Sequence, residues 1–158
     1  RGAREALKVV RRHRVIETYL CQRLGYTWDD VHDEAERMEH AVSDTLIERM
    51  AAALEFPSHD PHGAPIPTSG GDIEATDFAT LAEVKPGSEV WVRAVRDEDP
   101  EHLRSMEAKG LMPGARVVVI PEQVTDGPMA VRVGRGSGTS RSVDPELARL
   151  IFVVTDES

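Results

Sequence analysis

From the start of the chain, apolar side chains recur at Ala6, Val9, Val10, Ile16, Leu20 and Leu24, close to the 3.6-residue period of an amphipathic helix, and Gly25 offers a C-terminal stop. The pattern predicts a long helix over residues 3–24. Thr27 with Asp30 three positions later resembles a capping box, and the stripe Val31, Ala35, Met38, Val42 predicts a second helix through about Ala41. A third is predicted from Ser43, whose hydroxyl can accept from the first free amides, to about Phe56, with Ile47, Met50 and Leu54 at helical spacing. The helical period then stops. Residues 57–76, with the run SHDPHGAPIPTSGGD, hold most of the punctuating residues and read as a linker or an extended loop that hugs a surface.

Beyond the loop, short β-branched runs take over at Glu89–Val95, Arg116–Ile120, Ala130–Val133 and Ile151–Thr155. Lys85-Pro86-Gly87, Met112-Pro113-Gly114 and Asp126-Gly127-Pro128 mark turns between them. Strands this short with turns this frequent suit a small, partly open barrel. One helix interrupts them, with Asp99 as N-cap, Pro100 at the first helical position and Gly110 just past the end. Gly134–Gly138 is glycine-rich, but it sits between strands and reads as a hairpin loop. The expected fold is α+β: a three-helix module over 1–56, a Pro/Gly-rich linker over 57–78 and a small β-barrel over 79–158.

Composition narrows the chemistry. The 158 residues carry 28 acidic against 19 basic side chains, a formal charge of −9, which argues against a surface making many phosphate contacts. Any DNA binding must come from a local patch or from elsewhere. No run approaches the roughly 18 apolar residues of a membrane span, and RGAREALKVVRRHR lacks the apolar core of a secretory signal, so a cytoplasmic protein without a membrane partner is expected. The single cysteine, Cys21, excludes an internal disulfide and a zinc site built from thiolates, and reads as a small core residue. Arg1 opens inside the first helical pattern, so an N-terminal part of the natural protein is expected to be missing.

The second helix places His32, Glu36, Glu39 and His40 at offsets that return to one face, beside the apolar stripe. On the first helix His13 and Glu17 form another i, i+4 pair among Val9, Val10, Ile16 and Leu20. A lone carboxylate buried there is costly unless paired, hydrogen-bonded or bound to a cation. Imidazole with carboxylate and no thiolate suits Mn²⁺ or Fe²⁺, with Zn²⁺, Co²⁺ and Ni²⁺ as substitutes in vitro. The competing reading is a solvated helix face, and the basic cluster Lys8, Arg11, Arg12 and Arg14 reads as such a face too. A di-metal hydrolase is the competing enzyme class, but no nucleophile elbow, phosphate-cradling glycine loop or HExxH motif accompanies the cluster, and a non-enzyme is expected.

The strings RRHRVIETYL, VHDEAERMEHAVSDTLIERM and HDPHGAPIP, in that order, resemble the dimerisation and metal-binding domain of the iron- and manganese-dependent transcriptional repressors, the diphtheria-toxin-repressor family. GLMPGARVVVI and LARLIFVV are similar to the family's SH3-like, or FeoA-like, C-terminal domain. The resemblance implies a homodimer that takes up divalent metal and binds operator DNA through an N-terminal winged helix-turn-helix absent from this chain, with target genes of metal uptake or efflux. It implies that His13, Glu17 and His32 serve an ancillary metal site and Glu36, Glu39 and His40 a primary one, left incomplete without N-terminal ligands. Glu36 stands where iron-type members carry cysteine, which favours Mn²⁺. Family members complete the ancillary site from the SH3-like domain, and alignment back from Pro113-Gly114 puts Asp99 and His102 at those places. The third helix, through Ile47, Met50 and Leu54, is expected to pack on its symmetry mate with part of the first. An SH3-like adaptor for Pro-rich peptides, into which His62–Pro67 could dock internally, and a metal store are competing functions that need no DNA.

Overall fold

The computed structural model describes residues 2–75, 77–96, 99–121 and 127–156. They divide into two compact units, one within residues 1–76 and the other within 77–158.

The first unit is helical. Helix α1 (Gly2–Leu24) ends where Gly25 adopts φ +75° and the amide of Tyr26 bonds back to the Leu20 carbonyl at 3.1 Å. Helix α2 (Val31–Glu39) stops earlier than its pattern predicts, with His40 as its C-cap. The capping box expected from Thr27 and Asp30 does not form. Asp30 is itself the N-cap and its side chain makes no capping bond. The amides of Asp30 and Val31 both bond the Thr27 carbonyl instead, at 3.2 and 3.1 Å, so residues 28–30 close a turn before the helix. Helix α3 (Asp44–Ala53) starts as predicted, with the Ser43 hydroxyl accepting from the Leu46 amide at 3.1 Å. It ends before Phe56 because Glu55 and Phe56 turn left-handed at φ 59° and 55°, and Pro57 follows.

Val15, Ile16, Leu20, Val31, Ala35, Ile47, Met50, Ala51 and Ile66 form one apolar cluster that joins the three helices to the loop beyond them. Ile47, Met50 and Leu54 are only 2%, 9% and 8% exposed within the single chain, so each packs into its own interior, while Leu46 of the same helix is 44% exposed. The basic cluster departs from the expected solvated face. Arg11 bonds Glu48 and the Pro67 carbonyl, Arg12 bonds Asp44 and the Glu39 and Val42 carbonyls, and Arg14 bonds the Pro65 carbonyl at 2.6 Å. A solvated face describes Lys8 alone, because these three guanidiniums satisfy carbonyls that no helix or sheet could serve.

Residues 58–66 form a closed hairpin against α1. Ile66 N donates to the Ser58 carbonyl at 2.8 Å, Asp60 N donates to the Ala64 carbonyl at 2.9 Å, and His59 bridges Pro65 between them.

The second unit is a six-stranded antiparallel sheet in the order β1-β6-β2-β3-β4-β5. Its strands are β1 (Ala79–Thr80), β2 (Glu89–Val95), β3 (Arg116–Val119), β4 (Met129–Val133), β5 (Thr139–Val143) and β6 (Ile151–Val154). Alternate residues point inward: Val90, Val92 and Val95, Val117 and Val119, Val131 and Val133, Ile151 and Val153 are buried. Leu103 and Met106 of helix α4 (Pro100–Ala108) and Leu147 of the short helix α5 (Pro145–Ala148) are buried as well. Strand β5 has no signal in the hydrophobic pattern because four of its five residues, Thr139–Ser142, are exposed. What aligns it is the glycine run, a hairpin loop as predicted. A side chain at Gly138 would meet the Val133 carbonyl at 3.2 Å, on a backbone already at φ +68°. Of the predicted turn 126–128, Asp126 lies outside the described residues.

Candidate metal centre

Glu17 lies on the buried face of α1, packed between Ile16 and Thr18, and is 0% exposed. Neither of its carboxylate oxygens has a hydrogen-bond partner. Burying an anion this way costs several kcal/mol unless positive charge faces it. Three imidazoles approach it: His13 Nε2 stands 3.4 Å from Oε1, His32 Nδ1 stands 3.4 Å from Oε2, and His62 Nδ1 stands 4.0 Å from Oε2.

His13 comes from one turn earlier on α1, and its other nitrogen, Nδ1, lies 3.1 Å from Glu39 Oε2 on α2. His32 comes from the first turn of α2, with its Nδ1 3.1 Å from His13 Nε2 and the rings edge-on at 4.7 Å. Burial alone would lower the His13 pKa. The close approach and negative charge of Glu17 and Glu39 outweigh it and raise it from 6.5 to about 9. A proton on His13 therefore supplies, at neutral pH, the positive charge that Glu17 requires.

The loop contributes the rest. His62 is fully buried, stacks on Trp28 at 5.6 Å and 16°, and its Nε2 lies 2.7 Å from the Trp28 carbonyl. A carbonyl can only accept, so Nε2 carries a hydrogen and Nδ1 is the ring atom that faces Glu17. Asp60, 7% exposed, accepts from the amides of His62 and Ala64 through Oδ1, both at 2.9 Å, and its Oδ2 lies 4.0 Å from Arg14 Nε.

Two groups of ligand atoms emerge, His13 with Glu17 and His32, and Glu17 with Asp60 and His62, each with atoms within 4.8 Å of one another. Opposite ligands of an ion with bonds of roughly 2.0–2.4 Å stand about 4–5 Å apart, so either group fits one divalent ion with small side-chain shifts. Glu17 is common to both.

The structure thus gathers His13, Glu17, His32 and Glu39 from the predicted set and adds Asp60 and His62, which no sequence pattern singled out. Their signal was the Asp-x-His spacing in a loop rich in Pro and Gly. Glu36 is exposed and belongs to neither group. His40, with its side chain 83% exposed, approaches the cluster only through Glu39 Oε1 at 3.6 Å. Glu36 lies on the exposed side of α2 and His40 is its C-cap. Asp99 and His102 lie in the second unit: Asp99 Oδ1 accepts from the Glu101 amide at 2.9 Å as N-cap of α4, and His102 stands 3.6 Å from Asp99 Oδ2 and 3.7 Å from Glu146 Oε1. Cys21 belongs to neither group, and burial with the charges of Glu17, Asp30 and Asp60 pushes its thiol up to about 12.

Comparison with known proteins gives the same two parts. Residues 1–68 match the family described as iron dependent repressor, metal binding and dimerisation domain, and residues 79–155 match the FeoA domain. The iron-dependent repressor IdeR of Mycobacterium leprae is 33% identical over 132 residues, covering 75% of this chain and 57% of the relative. The diphtheria toxin repressor of Corynebacterium efficiens is 30% identical over 132 residues, 77% of this chain and 57% of that protein. The chain thus spans a little over half the length of these curated relatives. A solved manganese-dependent transcriptional repressor in complex with manganese superposes with a TM-score of 0.91 at 40% identity, over 98% of this chain and 72% of that one.

Proposed function

The chain belongs to the family of metal-dependent transcriptional repressors, and from that premise we propose that it is the metal-sensing and dimerising portion of a Mn²⁺- or Fe²⁺-dependent DNA-binding regulator of metal homeostasis in the cytoplasm. The observation that carries this reading is Glu17, a fully buried carboxylate without a hydrogen-bond partner, ringed by His13, His32 and His62. Nitrogen and oxygen donors with the one thiol held protonated favour Mn²⁺, then Fe²⁺, with Zn²⁺, Co²⁺ or Ni²⁺ as substitutes. A bound ion would supply the charge that now depends on a protonated imidazole. An ion held by His13, Glu17 and His32 would tie α1 to α2, and one held by Glu17, Asp60 and His62 would tie α1 to the hairpin.

Glu39, with Glu36 and His40 exposed beside it, forms the open rim of a second site that groups outside this chain would complete. Operator DNA is contacted by a domain that this chain does not contain, and α2 and the rim are the elements through which occupancy reaches it. The protein acts as a homodimer and not as an enzyme. Asp99 and His102 are secondary candidate ligands from the second unit, already engaged with Glu146 and the start of α4.

Calorimetric titration of Mn²⁺ tests the centre. Binding is expected for the wild-type chain, and Glu17→Gln should weaken it by on the order of 100-fold, since even outer-shell changes cost 10–100-fold. If neither Mn²⁺ nor Fe²⁺ binds, the cluster is a structural charge network and the sensor reading is lost.

A further inference from the structure

The hairpin 58–66 has two faces, and the metal centre uses only one of them. Successive residues of an extended strand point to opposite sides. Asp60 points inward, where its carboxylate lies within ligand distance of Glu17 and His62. His59, one residue earlier, points outward to the segment that leads to the second unit, and its Nε2 lies 2.7 Å from Glu74 Oε2. Ser58 Oγ stands 2.9 Å from His59 Nδ1, so a hydroxyl donated to that nitrogen leaves Nε2–H to donate to Glu74.

The segment held in this way has structure of its own. Thr68 N donates to the Asp72 carbonyl at 2.8 Å, Asp72 N to Thr68 Oγ1 at 3.1 Å, and Gly71 N to the Thr68 carbonyl at 3.0 Å. Thr68–Glu74 spans a cavity of about 400 Å³ that is lined below by Arg11, Ala51 and Ile66. Its two ends are fixed differently. At the start Arg11 donates to the Pro67 carbonyl at 2.8 Å, while at the far end the Glu74 carboxylate meets His59, three residues before Asp77 opens the second unit.

We propose that the hairpin 58–66 couples the metal centre to this connector: a divalent ion held by Glu17, Asp60 and His62 locks the hairpin, and the locked hairpin presents Ser58 and His59 to clasp Glu74. The hairpin is closed by backbone bonds at both of its rungs, so holding Asp60 and His62 holds His59 as well. Ion occupancy would thereby be felt along the connector as far as Glu74. The inference rests on the metal-centre reading of Glu17, Asp60 and His62, and adds to it the roles of Ser58, His59 and Glu74 as positioning residues.

Hydrogen exchange by mass spectrometry on the whole chain, with chelator and with saturating Mn²⁺, tests the coupling, and calorimetry on the same samples reports Mn²⁺ binding. In wild type, Mn²⁺ should slow exchange of amides in 68–75 by at least tenfold. In Glu74→Ala that protection should disappear while Mn²⁺ still binds, its affinity lowered by no more than about the same tenfold because the coupling is reciprocal, and Glu74→Gln, which keeps a hydrogen-bond acceptor for His59, should restore part of both. His62→Ala should lose both binding and protection. Binding without any slowing in 68–75, or full protection in Glu74→Ala, would overturn the coupling and leave the metal centre standing. Absence of Mn²⁺ binding by the wild type would overturn both.

Discussion

A carboxylate such as Glu17 is tolerable inside a helix bundle only because positive charge is brought to it, and the fold brings it the His13 imidazole rather than an arginine or lysine. The choice matters because an imidazole can give up its proton to make room for a metal, whereas a guanidinium cannot. With its pKa raised to about 9 against 6.5 unfolded, His13 binds its proton more tightly in the folded chain. Its contribution to stability is complete below pH 6.5 and is lost as pH rises from there through about 9. A divalent ion competes with that proton. Apparent Mn²⁺ affinity should therefore climb up to tenfold per pH unit between about pH 7 and 9 and level off above, with close to one proton released per ion near pH 7. Titrations in buffers of different ionisation enthalpy measure the release, and a flat affinity over that range would remove His13 from the ligand set. Helical periodicity put His13 with Glu17 on one face of α1 and His32 beside the core stripe of α2, while only the family resemblance put the three at one site. Asp60 and His62 were not, since a Pro/Gly loop has no period from which to read a direction.

At the scale of elements, each helix end shows which local signals carry. Ser43 caps α3 as its sequence indicates because the hydroxyl reaches an amide three residues on, an interaction complete within one turn. Ser43→Ala should lower stability by about 1 kcal/mol in urea unfolding of the chain, while Ser43→Asp should leave it nearly unchanged. The end of the same helix was not legible, because Leu54 packs into the core and the chain must then reverse through two left-handed residues to bring the hairpin back over α1. Long-range contact decided that boundary. Strand β5 gives the same lesson from the other side: Thr139–Ser142 carry no apolar alternation, and only pairing with β4, from Met129 opposite Val143 to Val133 opposite Thr139, makes them a strand.

For the whole molecule, the apolar residues that repeat most regularly along α3 are buried within the single chain, so the homodimer proposed above would draw on further apolar surface. Tyr19, Met38 and Val42 lie half-buried at the margin of the core, where a second copy would finish burying them. Met38→Glu should shift the chain from dimer to monomer in sedimentation velocity and leave its Mn²⁺ affinity within a few fold. An unchanged dimer would place the interface elsewhere. Sequence alone determined the two-part plan of helices then strands, the helical faces, most turn positions and the donor chemistry that selects hard metals, because each depends on periodicity or on the nature of single residues. Only the tertiary structure decided which donors meet. It joined Asp60 and His62 to Glu17, left Glu36 and His40 at the surface, and turned Ile47, Met50 and Leu54 inward. Those outcomes follow from how segments distant in the chain pack together, which local pattern does not encode.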